Sequence, residues 1–166
     1  SMDKQKKFLA RSFFFLLYQF LRYRYDSIDL VFISHSTEAQ EVSEDDFFKK
    51  ASTGGTYIST GLNKTLDIIS ERYPVSGWNI YAFHCSDGEN WMKDNEAAIK
   101  AMKKVRKISQ LSSYIQINHS DEKIWGDEMS NLFYSLESDK FKILKITQKE
   151  DIWDQFVKLF GGNKNV

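Results

Sequence analysis

The 166 residues are enough for one domain that buries about 70% of its unfolded surface, and a hydrophobic share of 42% with a single proline excludes a disordered or low-complexity chain. Lys plus Arg (23) equals Asp plus Glu (23), so no net charge draws the chain to nucleic acid or to an anionic membrane. One cysteine, Cys85, excludes an internal disulfide framework and suits a reducing cytoplasm.

In chain order, residues 8–21 form an apolar run interrupted by Arg11 and Gln19. The run falls short of the roughly 20 residues a membrane span needs, and no signal-peptide cleavage pattern follows it. It predicts a core helix over 4–25, covered on more than one side. IDLVFIS (28–34) is the near-continuous apolar pattern of a buried parallel strand, and TEAQEV (37–42) reads as a polar edge strand. Ser43-Glu44-Asp45-Asp46 reads as the cap and acidic first turn of a short helix through Phe48. A flexible loop is expected at 52–55.

Ile58, Leu62, Leu66, Ile69 and Tyr73 recur at helical spacing, and Pro74 and Gly77 stop that helix. WNIYAFHC (78–85) predicts a second buried strand. A basic amphipathic helix over 94–109 turns Ala98, Ala101, Met102, Val105 and Ile108 inward. A strand at 113–118, a helix at 122–136, a strand at 141–147 and a terminal helix at 148–160 complete the order, with Gly161-Gly162 as the stop. Strands alternating with helices imply an α/β domain, doubly wound around one mostly parallel sheet, spanning residues 1–166.

In such sheets ligands sit outside the carboxyl ends of the strands. The residues expected there are Ser34-His35-Ser36, Cys85-Ser86-Asp87-Gly88 and Asn118-His119. The loop Gly54-Gly55-Thr56 opens a helix at the same rim, where the glycines let backbone approach a ligand closely. Alone, Thr56 reads as a helix N-cap, and Asp87 equally as a turn residue bonding its own backbone. Together they offer a hydroxyl and a carboxylate to one point, which suits a hard cation such as magnesium that takes oxygen ligands and keeps several waters.

GGTYISTGL followed about thirty residues later by HCSDGEN resembles the von Willebrand factor A fold. More narrowly, SMDKQKKFLARSFFFLLYQFL, LVFISHSTEAQEVSEDDFF and ERYPVSGWNIYAFHCSDGENW, with the GGT loop and the Trp- and Phe-rich end, are similar to the YeaH/YhbH (UPF0229-type) family of bacterial stress and sporulation proteins. The resemblance implies a metal-ion-dependent adhesion site built from an Asp-x-Ser-x-Ser loop, a Thr loop and an Asp loop. Thr56 and Asp87 match the last two, supported by Gly54, Gly55, Ser86 and Gly88, and Ser1 would be the last Ser of the first loop. It also implies magnesium or manganese in the intact protein, and a cytoplasmic, non-catalytic module that engages a protein partner through a carboxylate. A serine protein kinase is the implied pathway companion.

By the same resemblance the chain is the C-terminal part of a longer protein, without the first Asp and first Ser of the site and without the strand before them. Weak or absent metal binding by these residues alone is therefore expected. The absent strand would be the central one, between 28–34 and 78–85. Strands pair about 4.8 Å apart, so its loss leaves a slot between two apolar neighbours. Sheet rearrangement or strand exchange, with an oligomer as one outcome, is expected.

His35, His84 and His119 stand near the same rim as a second candidate site, since imidazole suits zinc. No paired short metal spacing supports them, and His84 and Cys85 should face opposite sides of their strand. Each reads first as a packed or surface histidine. The rival function is a metal-assisted hydrolase using Asp87 with His35 or His84. No Gly-x-Ser-x-Gly elbow frames Ser34, Ser36 or Ser86, no phosphate-loop ending follows the glycines, and Cys85 reads as a core thiol. Lys100, Lys103, Lys104, Arg106 and Lys107 read as a solvated helix face, or as a docking surface for an acidic partner or RNA.

Overall fold

Asp3 starts the first helix: its carboxylate accepts a hydrogen bond from Lys6 N at 2.9 Å, the usual role of an N-cap aspartate. In the computed structural model, which describes residues 3–49, 57–119 and 128–161, this helix is α1 (Lys4–Arg24). Leu9, Ala10, Phe13, Leu17 and Leu21 fall on one face and are buried. Phe8 and Phe15 remain 52% and 65% exposed, so the helix is covered on its core side and flanks rather than all round. Apolar composition marks which residues could be buried, and only the face that meets the sheet is.

A hairpin follows, β1 (Phe32–His35) antiparallel to β2 (Ala39–Val42), with Phe32 opposite Val42 and His35 opposite Ala39. The apolar run 28–34 predicted a longer strand. Its first residues stay outside the ladder because β2 reaches back only to Phe32. Ser43 Oγ accepts from Asp46 N at 3.1 Å and caps α2 (Glu44–Lys49). Next come α3 (Ile58–Arg72), β3 (Tyr81–Ser86), a 3-10 turn (Met92–Asp94) and α4 (Asn95–Ile108). The chain continues through β4 (Leu111–Ile117), α5 (Glu128–Tyr134), β5 (Phe141–Ile146) and α6 (Asp151–Phe160).

Strands β3, β4 and β5 form a parallel sheet in that order. One face packs against α1 and α6 through Phe13, Leu17, Ile115, Leu144 and Phe156. The other packs against α3, α4 and α5 through Leu62, Met102, Tyr114, Phe133 and Phe141. β4 lies between two strands and two helical layers, and all seven of its residues are buried, including Ser112, Ser113 and Gln116.

Among the described residues, the single sheet expected from the strand pattern is instead two. The β1–β2 hairpin forms a sheet of its own, and β3 is an edge of the other. Residues of β1, β3, α1 and α3 line a cavity of about 740 Å³ between the two sheets. Among the described residues no helix is long and apolar enough to cross a membrane.

Candidate functional site

β3 delivers its last residue, Ser86, to the rim, and the chain turns at once. Gly88 has φ +93°, a backbone conformation that side-chain-bearing residues seldom adopt. Ser86 Oγ accepts from Gly88 N at 3.1 Å, and Asp87 Oδ1 accepts from Glu89 N at 3.3 Å. The turn predicted from Ser86-Asp87-Gly88 is thus formed, with Asp87 half-buried at the carboxyl end of its strand.

A buried polar chain holds that turn from behind. The Ser130 hydroxyl on α5 donates to Gln116 Oε1. Gln116 Nε2 donates to Asn118 Oδ1 at 2.9 Å, and Asn118 Nδ2 donates to the Asp87 carbonyl at 2.8 Å. Gln116 and Ser130 were not singled out from the sequence. Two amides spaced two apart on a strand end share a face, and that spacing was the available signal.

The start of α1 lies at the same rim. His119 Nε2 donates to Asp3 Oδ2. The Lys6 amide and His119 together hold the Asp3 carboxyl down at about 2. His119 therefore sits with Asp3, apart from the other two histidines.

The helix that follows Gly54-Gly55-Thr56 is anchored to the segment beyond Asp87. Tyr57 gives α3 no side-chain cap. Instead Asn90 Oδ1 accepts from Ile58 N at 3.0 Å, and Asp94 Oδ2 accepts from Ser59 N at 3.0 Å. The Ser59 hydroxyl also donates to Asp94 Oδ1. Asn90 is braced in turn, its Nδ2 donating to Asn95 Oδ1 at 2.9 Å. These remote caps satisfy amides that the first turn of a helix leaves without partners. Ser1, Gly54, Gly55 and Thr56 lie outside the described residues.

Below the Asp87 turn, His35 and His84 stack with ring centroids 4.8 Å apart. Gly61 makes the fit possible, because a Cβ there would come within 2.9 Å of the His35 ring. His84 in turn stacks on Tyr114 at 5.8 Å. Burial lowers the pKa of both histidines, further for His84, which also lies beside His35. Both are neutral near pH 7. His35 Nδ1 and His84 Nε2 are buried without a hydrogen-bond partner among the described residues. Cys85 packs on the opposite face with the α1 cluster, and burial pushes its thiol up to about 12.

Of the second candidate site, then, two histidines meet and the third pairs with Asp3. Among the described residues no group of three or more His, Cys, Asp or Glu side chains could hold a metal ion. Lys100, Lys103, Lys104 and Lys107 on α4 are exposed, as a solvated helix face requires.

Residues 1–163 match the family model described as "Protein of unknown function (DUF444)". The chain belongs to the DUF444 family. It is 47% identical over 159 residues to a UPF0229 protein of Ruminiclostridium cellulolyticum, covering 96% of this chain and 40% of that one. A UPF0229 protein of Clostridium perfringens is 40% identical over 158 residues, with 93% of this chain and 39% of the relative covered. One from Bacillus velezensis is 39% identical over 164 residues, covering 99% and 41%. The DUF444 chain described here thus spans about 40% of the length of these relatives. No solved structure matches it.

Proposed function

We propose that this DUF444 chain is the larger part of a von Willebrand A-like binding module of YeaH/YhbH type, whose complete form centres on a magnesium or manganese ion. The observation that carries the reading is the rim. Asp87 stands at the carboxyl end of a parallel strand on a turn that needs Gly88. The neighbouring strand's Asn118 pins that turn, and the helix after the Thr56 loop is tied to the segment just downstream. Oxygen donors carried on rigid loops suit a hard cation that keeps waters and an open position. A partner's carboxylate fills the open position, which makes the module a cytoplasmic protein-binding device in a stress or sporulation pathway, with a serine protein kinase as pathway companion. The rival reading is a metal-assisted hydrolase using Asp87 with His35 or His84, whose rings stack on each other.

Magnesium and manganese titrated by calorimetry into the intact protein test the reading. Saturable binding is expected, lost in Asp87→Ala and in Thr56→Ala, while residues 1–166 alone bind weakly or not at all. Unchanged binding in both variants overturns it. Substrate turnover that depends on Asp87 would favour the hydrolase.

A further inference from the structure

α1 carries a second ordered face, turned away from the sheet. Its sheet side buries Leu9, Phe13, Leu17 and Leu21. Its outer side carries Phe8, Arg11, Phe15, Tyr18 and Arg22, at alternating intervals of three and four residues. That alternation draws one seam along the helix, about 21 Å long, and is the spacing by which one helix meets another. Phe8, Arg11, Phe15 and Arg22 are exposed, and Tyr18 is half-buried. α6 lies beside α1, with Phe20 against Phe156 and Phe160, and leaves Trp153 and Val157 exposed.

The chemistry of the seam selects what it fits. α1 has no Asp or Glu among its 21 residues, although the chain as a whole balances its charges. Arg11 lies over the Phe48 ring at 5.4 Å, and Arg22 over the Tyr18 ring at 5.5 Å. Asp45, whose carboxylate feels the Arg11 charge, is itself paired with Lys49 at 2.7 Å. Among the described residues neither guanidinium is in an ion pair. A guanidinium that stacks on a ring still offers a fork of N–H groups that matches a carboxylate. A second copy of α1 is a poor occupant, because arginine would meet arginine with no carboxylate to answer it. A flat anionic surface also fits poorly. On the Phe48 flank α2 opens with Glu44, Asp45 and Asp46, and on the Phe20 flank α6 carries Asp151 and Asp154. Arginine alternating with aromatics, in place of the leucines of the buried side, is the composition of a contact that forms and comes apart.

We propose that the outer face of α1 docks an acidic amphipathic helix of a separate protein, about four turns long. Apolar side chains of that helix pack among Phe8, Phe15 and Tyr18, and its Asp or Glu residues pair with Arg11 and Arg22. No residue of the Asp87 rim takes part and no metal is needed, so the proposal stands or falls separately from the proposed function.

Fluorescence anisotropy with the full-length protein tests it. The probes are a labelled helical peptide of about 18 residues, with Leu at the seam positions and Glu beside them, and its counterpart with Lys for Glu. Saturable binding of the Glu peptide is expected, weakening as salt rises, with none of the Lys peptide at the same concentrations. Arg11→Glu with Arg22→Glu, and separately Phe8→Ser with Phe15→Ser, should each weaken binding by about tenfold or more at an unchanged circular dichroism spectrum. Arg22→Glu alone, expected to cost about fivefold, replaces either pair if that pair alters the spectrum. Lys103→Glu with Lys104→Glu on α4 should leave binding within about twofold. Absent binding, or binding that the seam variants leave intact, overturns the proposal. Equal loss in the α4 variant overturns it too, as the attraction is then one of general charge. A dimer seen by sedimentation, or pelleting with phosphatidylserine vesicles, that the seam variants abolish also overturns it, because a second copy or a lipid surface is then the occupant.

Discussion

β1 and β4 invert the usual relation between sequence and burial. The run leading into β1, IDLVFIS, is the more apolar, yet no residue of β1 is fully buried. β4 reads LSSYIQI, with two serines and a glutamine, and is buried from end to end. The difference is one of neighbours. β4 has a strand on each side and helices on both faces, whereas β1 has β2 on one side and a groove on the other. Burial here follows what packs against a segment rather than how hydrophobic it is, and polar residues are tolerated where their hydrogen bonds are supplied.

The contrast can be put to measurement by denaturant unfolding. In the closed region, Phe141→Ala removes a fully buried ring and should cost about 3–5 kcal/mol. In the open region, Phe32→Ala removes a half-buried one and should cost about 1 kcal/mol, and equal losses would break the comparison. Gln116→Leu keeps the volume but leaves the Ser130 hydroxyl and Asn118 Oδ1 without their partner, for about 1–3 kcal/mol. Asp94→Ala strips two hydrogen bonds from the start of α3 and should cost about 1–2 kcal/mol.

Asp3→Ala should also cost only about 1 kcal/mol, through the lost cap. It also carries a pH signature. The Asp3 carboxyl is lowered from 3.8 to about 2 in the fold, so its stabilisation is complete above pH 3.8 and lost as pH falls through about 2. The variant should lack that part of the acid limb in a pH series of unfolding curves.

Element order was legible in the residues because it rests on local pattern. Ser43 and Pro74 mark ends, and Leu62, Ile69, Ala98 and Val105 mark faces. The Ser86-Asp87-Gly88 turn was legible for the same reason, since its geometry is set by adjacent residues. The division into two sheets was not, because pairing depends on which edges meet. Nor was the support of the rim. Asn90 and Asp94 act on amides 32 and 35 residues away, and Ser130 reaches Gln116 across 14. Nothing in local spacing announces such partners. The exposure of Phe8 and Phe15 was hidden for a related reason, as an all-apolar helix does not say which side will be covered.

The borrowed caps of α3 also set an order of events. During synthesis Ile58 and Ser59 emerge well before Asn90 and Asp94, so the first turn of the helix is made before the groups that complete it exist. Starting a helix is its costly step. The caps on the start of α3 therefore become available only once the segment beyond Asp87, carrying Asn90 and Asp94, has been made.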